Sequence, residues 1–264
     1  MLLTYFKFAK NVYNNRELLF QLTLRQIKSR YKQSVLGVSW ALIRPFGMMV
    51  VFTIIFSKFM QMPSDGIPYP IFSYCALLPW ILFSSSLSSG INSMTSNVSL
   101  IQQIYFPREI FPLSAVMSSF VDFSIASVIF VGLMIYYKIQ VTLYVFLLIP
   151  ILLLQIVFTI AVCLLGSALN VFYRDIGQAL VFIVQLWMYA CPIIYPLSVI
   201  PDRYRLLYAL NPMAGIIDSY RKVIIQGVAP NWEYLLISFV ITVLVFLGSY
   251  AIFKRLEMRF ADII

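Results

Sequence analysis

Six apolar runs, each long enough to cross a bilayer and each closed by charges or by proline and glycine, leave this chain few folds to choose from. They cover residues 36–60, 71–97, 113–137, 141–172, 176–197 and 234–253. A hydrocarbon layer of about 30 Å takes about 20 apolar residues of helix to cross. None of the runs alternates with the period of two that a membrane barrel strand requires. The expected class is therefore all-α integral membrane, with six transmembrane helices. Charged residues make up 11% of the chain, against about 25% in soluble domains, too few to cover a water-exposed surface. No linker or low-complexity tract interrupts the pattern, so one transmembrane domain is expected over residues 1–264.

Charge placement predicts the orientation. Lys7, Lys10, Arg16, Arg25, Lys28, Arg30, Lys32 and Arg44 precede or open the first run, opposed only by Glu17, and Lys254, Arg255 and Arg259 follow the last. Positive charge stays on the cytoplasmic side, and an even number of spans returns the chain there, so both termini are expected inside. Residues 1–15 mix aromatics with lysines and lack the apolar core of a cleavable leader. Residues 1–34 are expected to hold an amphipathic interface helix. At helical spacing Phe20, Leu24, Ile27 and Tyr31 form an apolar stripe beside the cationic Arg25, Lys28 and Lys32, as in helices lying at the headgroup layer.

The outer segment 198–233 is too apolar for a solvated loop and too broken by proline to span. Two short re-entrant helices fit it: Pro201 to Leu210, and a second opened by the N-cap and first-turn pair Asn211-Pro212 and ending near Gly227. Tyr204 and Tyr208 share a face of the first. Such helices are tolerated only where protein or water covers their backbone.

Polar residues recur at helical spacing in three runs. The second carries Ser85, Ser89, Asn92 and Ser96; the fourth carries Gln155, Thr159, Gly166 and Asn170; the fifth carries Gln178, Phe182, Gln185 and Tyr189. Such stripes pack against other helices or line a hydrated path. Packing is expected for the small residues of the second run, and a path for the long amides and aromatics of the fifth. Phe52, Phe56 and Phe59 make an aromatic stripe at the outer end of the first run, a surface able to stack on sugars. Two charges lie inside runs, Arg44 and Asp122, each about 12 to 14 Å from the inner surface at about 1.5 Å per residue. Their similar depth makes them candidate partners across the first and third spans. The alternative has Arg44 snorkelling to the headgroups and Asp122 protonated or wetted.

Several chemistries are missing from the chain. It contains no histidine, which removes Ser-His-Asp and Cys-His catalysis and histidine-held metals. No G-x-x-x-x-G-K-[ST] phosphate loop occurs, so energy must come from elsewhere, and Asp122 alone makes a poor proton relay. Cys75, Cys163 and Cys191 lie in apolar runs at unrelated spacings and read as small core hydrophobes. Nothing resembles a nucleic-acid reader. No catalytic, cofactor or metal site is expected. An intramembrane enzyme would need clustered acids or an activated nucleophile.

Five segments, in order, carry a family resemblance: Arg16-Glu-Leu-Leu-Phe with Arg25-Gln-Ile-Lys-Ser-Arg-Tyr-Lys-Gln-Ser-Val-Leu-Gly-Val-Ser-Trp40, Tyr105-Phe-Pro-Arg-Glu-Ile-Phe-Pro112, Leu169-Asn-Val-Phe-Tyr-Arg-Asp-Ile176, Pro192-Ile-Ile-Tyr-Pro196 and Leu210-Asn-Pro-Met213. Together they resemble the polysaccharide-export permeases of ABC transporters, which move lipid-linked O-antigen or teichoic acid. The resemblance implies a homodimer in the bacterial cytoplasmic membrane with two ATP-binding cassette subunits beneath it, ATP and Mg bound on those partners, and a lipid-linked glycan as cargo. It implies an ATPase-coupling surface of Arg25, Lys28, Arg30, Gln102, Gln103, Tyr105, Arg108, Glu109, Arg174 and Asp175. The path would be lined by Phe52, Phe56, Phe59, Gln178, Phe182, Gln185, Tyr189, Tyr204 and Tyr208. A drug or lipid exporter on the same plan is the alternative.

Overall fold

The computed structural model describes residues 8, 10–32, 34–103 and 106–260. Tyr105, expected on the coupling surface, lies outside them. Ten α-helices are used as landmarks: α1 Arg16–Tyr31, α2 Trp40–Phe52, α3 Tyr69–Ile91, α4 Val98–Gln103, α5 Ile110–Tyr136, α6 Leu148–Phe172, α7 Asp175–Tyr189, α8 Asp202–Ala209, α9 Pro212–Tyr220 and α10 Trp232–Glu257. The fold is all-helical. Among the described residues, five helices are long and apolar enough to cross a membrane: Gly37–Phe59, Tyr69–Ile91, Ile110–Tyr136, Leu143–Phe172 and Trp232–Glu257.

The fifth apolar run does not form a sixth helix of that length. It becomes α7, 15 residues long, or about 22 Å at about 1.5 Å per residue, followed by a non-helical stretch. Pro192 accounts for the break, since it has no N–H to offer Met188 and its ring crowds the preceding turn.

Helix α3 is the hub. Of its most apolar window 78% is buried, against 11% for the first span, and α2, α5, α6, α7 and α9 all touch it. Small residues bring α3 and α6 together: a Cβ on Gly166 would stand 2.4 Å from Ile91 Cδ1, and one on Gly90 2.8 Å from Cys163 Sγ. Lipid offers no hydrophobic gain on helix contact, so close approach of this kind holds membrane helices together. Aromatic rings fill the wider gaps. Phe83 stacks on Phe158 at 5.6 Å and meets the edge of Trp187 at 5.1 Å, while the Tyr74 hydroxyl donates to the Ala126 carbonyl at 2.9 Å.

The stripes of the second and fourth runs take different surroundings. That of the fourth run packs: Gln155 Nε2 donates to the Pro79 carbonyl at 2.7 Å and Gln155 Oε1 accepts from Tyr220 at 2.9 Å. Asn170 donates to the Ile91 carbonyl at 3.2 Å and accepts from the Gly177 N–H at 2.9 Å. The stripe of the second run packs only at Asn92, whose Oδ1 accepts from Asn170 Nδ2 at 3.2 Å. Ser85, Ser89, Asn92 and Ser96 border open grooves, and the buried face of α3 carries Ser86, Gly90 and Ile91 instead. Their hydroxyls survive without neighbours by turning back on the helix, Ser85 to the Ile81 carbonyl at 2.6 Å and Ser89 to the Ser85 carbonyl at 2.8 Å.

Candidate functional site

Helix α1 docks against α5 and does not lie free on a surface. Its contact face is Leu18, Leu19, Leu22 and Thr23, not the Phe20 stripe, and Phe20 is 60% exposed. The first ten residues of α5, Ile110 to Ser119, include Pro112, Ser114, Ala115 and Ser118, and all but Met117 are buried. These small side chains let α1 come close, and Gln26 Nε2 donates to Ser114 Oγ at 3.0 Å. Further along, Arg30 pairs with Asp122, whose other carboxylate oxygen accepts from the Tyr31 hydroxyl at 2.7 Å. Burial and then the Asp122 hydrogen bond push the Tyr31 phenol up to about 12, so it stays a donor.

The Arg44–Asp122 pair expected from depth is therefore replaced by Arg30–Asp122. Counting residues from the membrane edge gives depth along a helix but not direction around it, and α1 delivers Arg30 to the side of α5 that carries the acid. Arg44 lies with its guanidinium 6.0 Å from the Trp40 ring and has no carboxylate in ion-pair range among the described residues. It shares with Arg30, Tyr31 and Asp122 a cavity of about 400 Å³ bordered by Ser85, Ser88 and Ser89.

The residues expected to couple to an ATPase divide into two groups. Arg25, Lys28, Gln102, Gln103, Arg174 and Asp175 are exposed. Arg30 is turned inward to Asp122. Glu109 is fully buried, bonded to Lys254 Nζ at 2.8 Å and Asn11 Nδ2 at 3.0 Å. Lys254 also reaches Glu257 at 2.7 Å, and Arg108 donates to the Glu257 carbonyl. Arg108 and Glu109 thus tie the start of α5 to the end of α10, and Glu109 presents no free carboxylate. The sequence offered no sign of this network, because Lys254 read there only as a tail charge and Glu257 drew no reading.

Of the expected path residues, Gln178, Phe182, Gln185 and Tyr189 do share one exposed face of α7, with Phe182 62% and Tyr189 59% exposed. The aromatic stripe of the first span is broken. Phe52 and Phe56 meet edge to face at 5.4 Å, but residues Thr53–Phe59 wind as a π-helix, whose wider turn takes Phe59 off the stripe to 76% exposure. Tyr204 and Tyr208 also part. Tyr204 is exposed, with Arg203 over its ring at 4.5 Å, while Tyr208 hydrogen-bonds the Tyr195 hydroxyl at 2.8 Å.

The segment expected to hold two short helices does contain α8 and α9, the second continued as a π-helix over Arg221–Gln226 up to Gly227, with Asn211 capping α9 by accepting from the Met213 N–H at 3.2 Å. Between α7 and α8 the backbone carbonyls freed by Pro192 are taken up by side chains. Arg221, 3% exposed, donates to the carbonyls of Pro192, Ile193, Tyr195 and Phe72, and its guanidinium lies 3.6 Å from the Phe72 ring centre. Tyr69 donates to the Ile194 carbonyl at 2.9 Å, Tyr195 to that of Tyr189 at 2.8 Å, and Asn211 to that of Ala190 at 2.9 Å. Burial pulls Arg221 down to about 10, which still leaves it charged at neutral pH. Sequence reading passed over Arg221. The available signal was a cation in an otherwise apolar stretch of the outer segment.

With this geometry in view, the similarities can be placed. Residues 17–225 match the model of the ABC-2 type transporter family. Over 97% of its length the chain is 31% identical to the O-antigen export system permease protein RfbA of Myxococcus xanthus, covering 98% of that protein. It is 31% identical to the protein of the same name from Klebsiella pneumoniae, covering 94% of this chain and 95% of the relative. The polysialic acid transport protein KpsM of Escherichia coli is 22% identical over 78% of this chain and 80% of its own length.

Proposed function

The chain belongs to the ABC-2 type transporter family, a multi-pass membrane permease, and we propose on that footing that it is the transmembrane subunit of a polysaccharide exporter in the bacterial cytoplasmic membrane. Its cargo is a lipid-linked glycan of O-antigen type; a teichoic acid on a similar lipid presents the same chemistry to the path. Two copies form the path between them, both termini lie inside, and ATP is hydrolysed on separate cassette subunits. The named O-antigen relatives, similar over nearly their whole length, support the glycan.

The observation that carries the reading is the uncovered face of α7. Gln178, Phe182, Gln185 and Tyr189 form a row of amides and aromatic rings at a depth where lipid would select against amides. A second copy facing this row encloses it, and stacking on rings with hydrogen bonds from amides is how sugars are held without tight binding. Beneath, Arg25, Lys28, Gln102, Gln103, Arg174 and Asp175 offer the docking surface for the ATPase. The buried Glu109–Lys254 contact, with Arg108, transmits its push from α5 to α10.

Replacing Gln185 or Tyr189 by alanine is expected to lower surface glycan several-fold, measured by labelling the exported polymer, while co-purification with the ATPase stays unchanged. Normal export in both variants overturns the proposed lining.

A further inference from the structure

Asn211 does more than a helix cap requires. Capping α9 takes one bond, from the Met213 N–H to Oδ1 at 3.2 Å, and a serine or aspartate would serve there as well. The rest of the side chain reaches the other way, to the end of α7. Oδ1 also accepts from Trp187 Nε1 at 3.0 Å, while Nδ2 donates to the Ala190 carbonyl at 2.9 Å and to Cys191 Sγ at 3.3 Å. A side-chain amide has two N–H donors and one oxygen with two lone pairs, so Asn211 is fully used. Its orientation is fixed too, because indole and backbone N–H groups can only donate and must face the oxygen.

Helix α7 needs such an anchor at its outer end. The last carbonyls of a helix have no partner within it, and Pro192 prevents another turn from following. Tyr195 takes the Tyr189 carbonyl at 2.8 Å and Asn211 takes that of Ala190, both reaching back from the outer segment. The indole bond adds control of rotation. Trp187 meets Phe83 of the hub helix α3 at 5.1 Å and Phe158 of α6 at 6.2 Å, so its ring is held between those helices and Asn211. At about 100° per residue, Gln185 and Tyr189 each stand about 200° from Trp187, on the opposite side of α7. Holding the indole inward therefore turns both outward, where the structure has them exposed. We propose that Asn211 is a positioning residue for export: by tying Trp187 and Ala190 to the start of α9, it sets the rotation of the last turn of α7 and aims Gln185 and Tyr189 into the path. The proposal rests on the reading of that row as the path lining.

The test uses two substitutions that leave the cap of α9 in place. Asn211→Ser caps equally well but is too short to reach Trp187 or Ala190, and Trp187→Phe keeps an aromatic ring beside Phe83 and Phe158 without the N–H. Each is expected to lower surface glycan several-fold per copy of the protein in the membrane, with co-purification of the ATPase unchanged. Cys191, 1% exposed, reports on the joint without reference to transport. In the purified full chain, N-ethylmaleimide should alkylate Cys191 at least about tenfold faster in Asn211→Ser than in wild type, as a local opening requires, with Cys75 and Cys163 still protected. A residue that acts through Tyr189 should add nothing once Tyr189 is gone, so export by Asn211→Ser combined with Tyr189→Ala should lie within about twofold of Tyr189→Ala alone. Wild-type protection of Cys191 in Asn211→Ser overturns the joint. Normal export by both substitutions, or losses that multiply in the double variant, overturns the positioning role. Should Asn211→Ser fail to fold, normal export by Trp187→Phe does the same. Normal export by Gln185→Ala and Tyr189→Ala removes the lining and the positioning role with it, while a freed Cys191 would leave the tie between α7 and α9 standing.

Discussion

Two arginines in this molecule sit among apolar helices and do opposite things. Arg221, in the outer segment, is 3% exposed and its guanidinium is used up by carbonyls of residues 72, 192, 193 and 195. Arg44, near the start of the first span, is exposed to an open cavity and has no acid in ion-pair range among the described residues. A buried cation persists only when its donors find partners, and Arg221 places four of its five N–H groups on carbonyls by repairing a break that Pro192 makes. Arg44 has no such set of carbonyls, and of the serines beside it Ser85 and Ser89 are bonded to their own helix. The difference separates a fastening from a cation left open to a cavity, and neither local sequence announces which is which.

The largest effect is expected at the fastening. Arg221→Met removes the side-chain donors to the Pro192, Ile193 and Tyr195 carbonyls and leaves them orphaned where water is scarce, while Tyr69 keeps that of Ile194. Hydrogen bonds to a charged group contribute about 1.5–3 kcal/mol each, so losing two or more costs on the order of 3 kcal/mol and lowers the melting temperature in detergent by about 6–12 °C. Arg221→Lys, with a single point of charge in place of a planar fork, should recover only part of that. If Arg221→Met melts like wild type, the contrast between the two arginines loses its structural side. Arg44→Gln is expected to leave the melting temperature unchanged.

A smaller effect tests how the inner arginines divide their work. Reversing either charge of the Arg30–Asp122 pair should cost about 1–3 kcal/mol, the range for removing one partner of a partly buried charge-assisted bond. The double reversal, Arg30→Asp with Asp122→Arg, should recover at least half. Arg44→Asp combined with Asp122→Arg should recover none, because Arg44 does not contact Asp122. Thermal denaturation of all five proteins checks this, and rescue by the Arg44 combination would return Asp122 to Arg44.

Much of the architecture could be read from residue order, and the failures have a common cause. Run length and composition suffice to place helices, and Asn211-Pro212 and Gly227 mark the second outer helix because capping is a local matter of one or two residues. Periodicity also grouped Gln178, Phe182, Gln185 and Tyr189 on one face of α7. It could not say whether a face meets a helix or a void: the serines of α3 looked like packing residues and border grooves instead, while the Gln155 and Asn170 stripe packs. The pairing of Asp122 depends on how α1 lies along α5, a contact across 92 residues. The Glu109–Lys254 contact spans 145. Such relations are set by the assembled bundle and leave no periodic trace.

The least effect is expected from Tyr31→Phe, and its smallness is informative. The phenol contributes one hydrogen bond to a carboxylate already held by Arg30, so its removal should cost about 0.5–1.5 kcal/mol and leave the Arg30–Asp122 pair in place. Its folded-state value lies above its ordinary one, 10.0 raised to about 12. The stabilisation is therefore complete below about pH 10 and is lost as pH rises through about 12. Between pH 6 and 9 the difference in melting temperature between wild type and Tyr31→Phe should stay constant. A difference that grows or shrinks across that window would mean that the phenol titrates there, and that its hydrogen bond to Asp122 does not hold it as a fixed donor.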